Sequence, residues 1–241
     1  MNPAFSVIFF TTASGAGYGL LALLGLLGPA GLLPQGVVFG LVSIAIALAL
    51  ITAGLLASML HLGHPERAWR AFSQWRTSWL SREGVASVIA YVPALLFAFA
   101  WATGGATGGT TVAFGIASAV MAVVTVYCTG MIYASLKPIR QWHSPLVPRN
   151  YLLFAAFSGA VCLTALAALF GGPAGAPGLL AVLLALSGLF AKLRYWRFID
   201  HTASASTIES ATGLGGLGQV RMLESPNSQD NYLLKEMGFR I

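Results

Sequence analysis

The charged residues of this chain are confined to four stretches, and the long apolar segments between them carry none. All 13 Lys and Arg and all 7 Asp and Glu residues lie in 66–83, 137–149, 192–200 and 209–240. Because hydrocarbon strongly disfavours an isolated charge, this distribution is typical of a chain that crosses a membrane repeatedly. If the apolar segments span a membrane, all the charge lies on one side of it.

Six segments are long enough to cross a bilayer, since a helix needs ~20 residues to span ~30 Å of hydrocarbon. The composition agrees, with 57% hydrophobic and 8% charged residues, against ~25% charged residues in soluble domains. The sequence therefore predicts an all-α, polytopic transmembrane helix bundle over residues 1–200 and a tail at 201–241. The predicted spans are 5–27, 36–60, 84–103, 111–136, 150–170 and 178–198.

The distribution of basic residues predicts the orientation. Counting crossings puts the three charge-free loops on one face, and the N-terminus, both charged loops and the tail on the other. Lys and Arg in short loops favour the cytoplasmic side, so we expect both termini and the charged face to be cytoplasmic. The start MNPAFSVIFF lacks a basic region before its apolar run, which argues against a cleaved signal peptide.

Several functions are disfavoured by what the spans contain. Cys128 and Cys162 lie inside apolar segments and have no spacing typical of zinc or iron–sulfur sites. The central parts of the spans hold no ionisable relay residue, which disfavours charge-coupled transport, so a small-molecule transporter is the more distant alternative. Gly15, Gly17 and Gly19, together with the Gly36-x-x-x-Gly40 pair, predict close helix contacts.

The most informative stretch is ASMLHLGHPERAWRAFSQWRTSWLSREG, residues 57–84. At 100° per residue, the aromatic residues of this stretch fall on one arc of a helix and the polar residues fall on the other. Arg76 is the exception, because it falls on the aromatic arc. This pattern predicts an amphipathic helix at about 65–80 lying in the membrane interface.

His61 and Glu83 flank that helix at the ends of adjacent predicted spans, where a quinone headgroup would rest. An imidazole can hydrogen-bond a quinone carbonyl, and a nearby carboxylate can give or take the accompanying proton. The alternative is structural: His61 caps its helix and Glu83 pairs with Arg82 or another arginine.

These residues resemble the membrane anchor subunit of dimethyl sulfoxide reductase and its relatives. The resemblance is carried by Ala57–Gly63 with Pro65, Arg67 and Ala68, then by Ser78–Leu80, Ser81 and Glu83. It continues through Met131–His143, Lys192–Trp196, Glu209–Leu214 and Asn231–Phe239, and these later segments are most similar to anchors of cytoplasmic sulfite dehydrogenases.

The resemblance implies a three-subunit complex in a bacterial inner membrane. On its cytoplasmic side this chain would anchor a subunit with four iron–sulfur clusters and a molybdopterin catalytic subunit, and it would itself bind ubiquinone or menaquinone. The expected quinone-binding residues are His61, Glu83, His64, Arg67, Tyr133 and His143. The expected partner-docking residues are Arg70, Arg76, Arg140 and Tyr232.

Three alternatives stay open. Sulfite oxidation would deliver electrons to the quinone pool, as the tail motifs favour, whereas dimethyl sulfoxide reduction would draw electrons from it. A b-type haem needs two facing histidines, but all four histidines lie at helix ends or in loops, so haem is not favoured. The family typically has eight helices; with six visible, either this is a shortened form or two helices lie beyond Ile241.

Overall fold

Six long apolar helices make up the body of the protein. The computed structural model describes residues 5–60, 64–137, 139–201, 207–221 and 223. Each long helix is apolar and long enough to cross a membrane, and helices satisfy their own backbone polar groups in hydrocarbon. Among the described residues, the prediction of an all-α bundle with six membrane-length helices is confirmed. The helices are α1 (Phe5–Leu27), α2 (Val37–Met59), α3 (Trp79–Gly104), α4 (Gly109–Ala134), α5 (Leu146–Leu169) and α6 (Gly175–His201).

Helix α1 is the centre of the bundle. It packs against α2, α4 and α5, while α3 pairs with α4. Half of the most apolar stretch of α1 is buried inside the protein, against 11% of that of α6, which packs on α5 at the outside. Helix α1 is therefore the most deeply buried of the six membrane-length helices that the structure describes.

Glycines allow α1 to approach its neighbours closely. A Cβ at Gly17 would collide with the backbone of α2, one at Gly19 with the Ala155 carbonyl, and one at Gly25 with the Gly115 carbonyl. Gly40 accommodates the buried Trp101 ring, whereas Gly36 faces open space. The predicted packing role thus holds for Gly17, Gly19 and Gly40, because small residues let helix backbones come together.

Helix α3 begins at Trp79 rather than at residue 84. The Ser78 side chain accepts a hydrogen bond from the Ser81 amide at 3.5 Å, which caps amides that the first turn leaves unpaired. Glu83 consequently lies inside the helix, one turn from its start. The predicted bounds of 84–103 place it just before the span instead.

The segment before α3 is a 3₁₀ helix at Pro65–Gln74, not an α-helix reaching residue 80. With three residues per turn, side chains at i and i+3 align, so Arg67 and Arg70 fall in one row. Arg76 lies beyond the end of this helix, so the 3₁₀ spacing does not extend to it. Phe72 contacts α3 near Gly84, so this helix lies beside the start of α3.

The end of the bundle with charge-free loops is closed by aromatic side chains. Phe39, Phe97 and Trp101 are each 2% exposed or less. The ring centroids of Phe97 and Trp101 are 5.5 Å apart at 73°, the edge-on arrangement that aromatic pairs favour. This half of the bundle is packed with apolar groups.

The described part of the tail forms a small folded segment. Helix α7 (Ile208–Thr212) starts with a capping box between Thr207 and Ser210, and the Val220 amide donates to Glu209 at 3.4 Å. Leu217 is 88% exposed, so this segment presents an uncovered apolar side chain. Residues 202–206, 222 and 224–241 lie outside the described residues.

We predict that Gly25→Ala destabilises the protein by about 1–3 kcal/mol, because its methyl group must push α1 away from α4. The measurement is the thermal midpoint of the detergent-purified protein, read as loss of the monodisperse species. Gly109→Ala is the matched control, since a Cβ there meets nothing within 4 Å. Equal midpoints for the two variants would contradict the close α1–α4 contact.

Candidate functional site

A buried carboxyl group marks the charged-face half of the bundle. Glu83 on α3 is 5% exposed, and its Oε1 accepts a hydrogen bond from the Thr129 hydroxyl of α4 at 2.5 Å. Among the described residues, no Lys, Arg or His lies within 4.0 Å of the carboxylate. Glu83 is therefore held by a hydrogen bond from a hydroxyl group and has no cation beside it among the described residues.

Arg82 has other partners. Its Nε donates to the Trp75 carbonyl at 3.0 Å, and its Nη2 donates to the Arg76 carbonyl at 2.7 Å. The guanidinium also lies over the Trp79 ring, 4.3 Å from the centroid. Arg82 thus closes the turn that enters α3, and the alternative in which Glu83 pairs with Arg82 is wrong.

A cavity of about 430 Å³ lies between α1, α4, α5 and α6. The cavity is lined by residues from the N-terminal halves of α1 and α5 and from the C-terminal ends of α4 and α6. These are the ends nearest the charged loops, so the cavity lies in the charged-face half. It is lined by Thr11, Thr12, Ser14, Gly15, Val126, Thr129, Val147, Asn150, Tyr151, Phe154, Ala155, Phe157, Ser158, Lys192 and Tyr195.

Thr129 connects this cavity to Glu83. Its side chain lines the cavity while its hydroxyl donates to the carboxylate behind it. Asn150 and Lys192 add an amide and an ammonium group to the wall. The arrangement places proton-transfer and hydrogen-bonding groups around a mostly apolar space, which is the usual character of a small-molecule site.

Lys192 and Tyr195 are fixed by their surroundings on α6. The Lys192 ammonium lies 5.8 Å from the Tyr195 ring centroid and 5.4 Å from that of Trp196. The Tyr195 hydroxyl donates to the Gln141 carbonyl at 2.6 Å. The charged loop between α4 and α5 therefore helps to position the α6 side of the cavity.

None of the predicted quinone-binding residues that the structure describes lines this cavity. Tyr133 does not line the cavity, but its ring stacks on that of Tyr151, with centroids 5.6 Å apart. His64 and Arg67 also do not line it; they contact Glu66 at 3.0 and 3.7 Å on the exposed 3₁₀ helix. His61 lies outside the described residues.

His143 lines a second cavity of about 400 Å³, together with Tyr127 and Arg149. The His143 Nδ1 is 2.7 Å from the Ala134 carbonyl, and a carbonyl oxygen only accepts, so Nδ1 carries the proton. Of the predicted quinone residues that the structure describes, His143 lines the second cavity and Glu83 lies behind Thr129 of the first. His64 and Arg67 lie on the exposed 3₁₀ helix.

The predicted docking residues lie on the charged face. Arg70 and Arg76 are exposed and lie over Trp69 and Trp75, at 5.7 and 5.6 Å from the ring centroids. Arg140 Nη2 donates to the Ile199 carbonyl at 2.6 Å, so this residue also ties its loop to α6. Tyr232 lies outside the described residues.

Sequence reasoning missed Thr129, Asn150, Tyr151, Lys192 and Tyr195 as site residues. Thr125 and Thr129 have the four-residue spacing of one helix face, and this was an available signal for a polar stripe on α4. In the sequence, Lys192 indicates orientation and begins the Lys192–Trp196 motif, but neither feature predicts a cavity. Its contribution to the cavity depends on how α6 packs against α5.

We predict that Thr129→Val destabilises the protein by about 1–3 kcal/mol, because Glu83 loses its only hydroxyl donor among the described residues. Thr164→Val is the control, since the Thr164 hydroxyl donates only to the Ala160 carbonyl one turn earlier. Thermal midpoints of the detergent-purified variants check this. A loss no larger for Thr129→Val than for Thr164→Val would argue against the Glu83 contact.

Comparison with known proteins agrees with this architecture. The family model described as "DMSO reductase anchor subunit (DmsC)" matches residues 1–232. A sulfite dehydrogenase subunit of Allochromatium vinosum is 41% identical over 231 residues, covering 89% of this chain and 70% of the relative. No solved structure matches the chain significantly. This chain, with its six membrane-length helices, belongs to the family of DMSO reductase membrane anchor subunits.

Proposed function

We propose that this anchor subunit binds a quinone in the cavity between α1, α4, α5 and α6, and that Glu83 exchanges a proton with it through Thr129. The observation that carries the proposal is the buried Glu83–Thr129 hydrogen bond at the cavity wall. A carboxyl group buried without a cation is costly, and such groups inside membrane proteins usually have a functional role.

The residues at the cavity suit a quinone headgroup. The volume of about 430 Å³ lies within the ~300–1,000 Å³ range of small-molecule sites. Apolar side chains such as Phe154 and Phe157 suit the ring, and Thr129, Asn150 and Lys192 offer hydrogen-bond donors for carbonyl oxygens. A quinone supplies an electron acceptor that becomes a quinol on taking up two electrons and two protons.

The roles of the protein groups follow from their chemistry. The Thr129 hydroxyl can pass on a proton, because a hydroxyl both donates and accepts. Protonated Glu83 would give its proton to the Thr129 oxygen as the Thr129 proton moves into the cavity. The Lys192 ammonium would stabilise negative charge that develops on the quinone oxygen farther from Thr129. His61, next along the chain from Leu60, remains a proposed member of the site.

We propose that electrons come from sulfite oxidised by a molybdopterin subunit and pass through an iron–sulfur subunit docked on the charged face. The likeness to a subunit of a sulfite dehydrogenase supports this direction. The exposed Arg67, Arg70 and Arg76 and the uncovered Leu217 provide a surface for the partner. We propose that this face is cytoplasmic in a bacterial inner membrane, since basic loops favour that side.

Glu83→Gln tests the site. We predict that it lowers quinone reduction about 100-fold or more, because an amide cannot serve as general acid or base, while the complex still assembles. The rate of decyl-ubiquinone reduction by purified complex and the subunit stoichiometry are measured together. Asp200→Asn, at the exposed end of α6, is the control and should retain activity. Wild-type turnover in Glu83→Gln would exclude this site.

The direction of electron flow is tested separately. Membranes carrying the complex should reduce decyl-ubiquinone when sulfite is added and should oxidise decyl-ubiquinol poorly with dimethyl sulfoxide. Membranes lacking the complex give the background rates. The opposite pattern would identify the anchor of a sulfoxide reductase, in which the same residues would take protons from a quinol.

A further inference from the structure

The second cavity, of about 400 Å³, lies at the charged face and takes no part in the proposed quinone chemistry. It is formed by the C-terminal end of α4, the loop that follows α4 and the first turn of α5, and it shares no lining residue with the first cavity. Arg149 and His143 line it, and no acidic residue is among the described residues that do so. This lining therefore favours an anionic ligand.

The two basic side chains of this cavity are available to a ligand. Among the described residues, no carboxylate forms an ion pair with Arg149, and a guanidinium group matches the geometry of phosphate oxygens. The His143 Nδ1 donates to the Ala134 carbonyl at 2.7 Å, so Nε2 is an acceptor in the neutral ring. A ligand that carries both a phosphate group and a hydroxyl group would satisfy the two side chains together.

Aromatic side chains indicate that this cavity lies at the depth of lipid headgroups. Tyr127 lines it and packs edge-on against Trp79 at the start of α3, with ring centroids 6.0 Å apart. Trp and Tyr are enriched where a bilayer meets water. Basic pockets between transmembrane helices at this level bind anionic phospholipid headgroups in other membrane proteins.

An apolar stripe on α4 leads away from the cavity toward the charge-free end. Exposed apolar residues spaced by four, three and four positions lie on one face of this helix. They are Ile116, Val120, Val123 and Tyr127. From the first to the last the helix rises about 17 Å, which is about half of the ~30 Å thickness of the hydrocarbon. The stripe therefore has the length of an acyl chain in one leaflet, which favours a lipid over a free phosphate.

We propose that this cavity binds the headgroup of an anionic glycerophospholipid that carries a hydroxyl group, such as phosphatidylglycerol. Arg149 binds the phosphodiester oxygens, the headgroup hydroxyl donates to His143 Nε2, and one acyl chain lies along the α4 stripe. This role differs from the quinone binding that the resemblance implies for His143. It does not depend on the quinone site beside Glu83, because the two cavities have separate linings.

The test is native mass spectrometry of the detergent-purified complex, which is delipidated and then titrated with phosphatidylglycerol. Arg149→Gln should weaken the tightest binding event at least about tenfold, because a charge-assisted hydrogen bond is lost. Lys137→Gln is the matched control. It removes an exposed cation from the same loop, but Lys137 does not line the cavity, so its affinity should equal that of the wild type.

His143→Asn tests the hydroxyl contact. The Asn amide can still donate to the Ala134 carbonyl, but it offers no acceptor at the position of Nε2. Binding of phosphatidylglycerol should weaken about threefold. Phosphatidylmethanol has the same charge and no free hydroxyl group, so it should bind to the wild type and to His143→Asn equally well.

The inference is overturned if Arg149→Gln retains phosphatidylglycerol as well as Lys137→Gln does. It is also overturned if an excess of glycerol phosphate, which has no acyl chains, displaces the lipid, since the site would then hold a free anion. Loss of a bound quinone in place of phospholipid from Arg149→Gln would contradict it too. Failure of the proposed function is read separately, from quinone turnover in Glu83→Gln, a variant in which this lipid should bind normally.

Discussion

The burial of Glu83 is the interaction on which the charged-face half of the molecule depends. A carboxyl group removed from water must be compensated by hydrogen bonds or by charge. Here Thr129 supplies the hydrogen bond. Arg82, its immediate neighbour, is instead held by backbone carbonyls. This arrangement keeps the carboxyl group beside the cavity and free of a permanent counter-ion.

The sequence alone predicted the six membrane-length helices, because hydrocarbon imposes both their length and their apolar composition. It also proposed Glu83 as a quinone-site residue, from its place at the end of a predicted span and from the family resemblance, and that role stays a prediction. The first turn of α3 was placed too late, because the N-cap of Ser78 outweighs the polarity of Arg82 and Glu83. The segment 65–74 was analysed with α-helical spacing but forms a 3₁₀ helix. The two helix types are hard to distinguish in a short sequence, because their rotation per residue differs by only about 20°.

The cavity could not be predicted from the sequence, because it depends on how helices align with one another. Thr129 contacts Glu83 only in the observed register of α3 and α4, and Lys192 reaches the cavity only because α6 packs on α5. Close backbone contacts at Gly19 and Gly25 help to set these registers around α1. A single chain reveals which residues are small or polar, but not which of them face each other.

The two halves of the bundle are built for different purposes. At the charge-free end, Phe39, Phe97 and Trp101 fill the interior, whereas the other half holds Glu83 and Thr129. The proposed function requires an aqueous proton source and a docked electron donor, and in that proposal both lie at the charged face. A second proton path to the opposite face is then unnecessary. The charge-free half therefore needs only to pack tightly and hold α1 in place, which leaves the chemistry to a few polar residues near one surface.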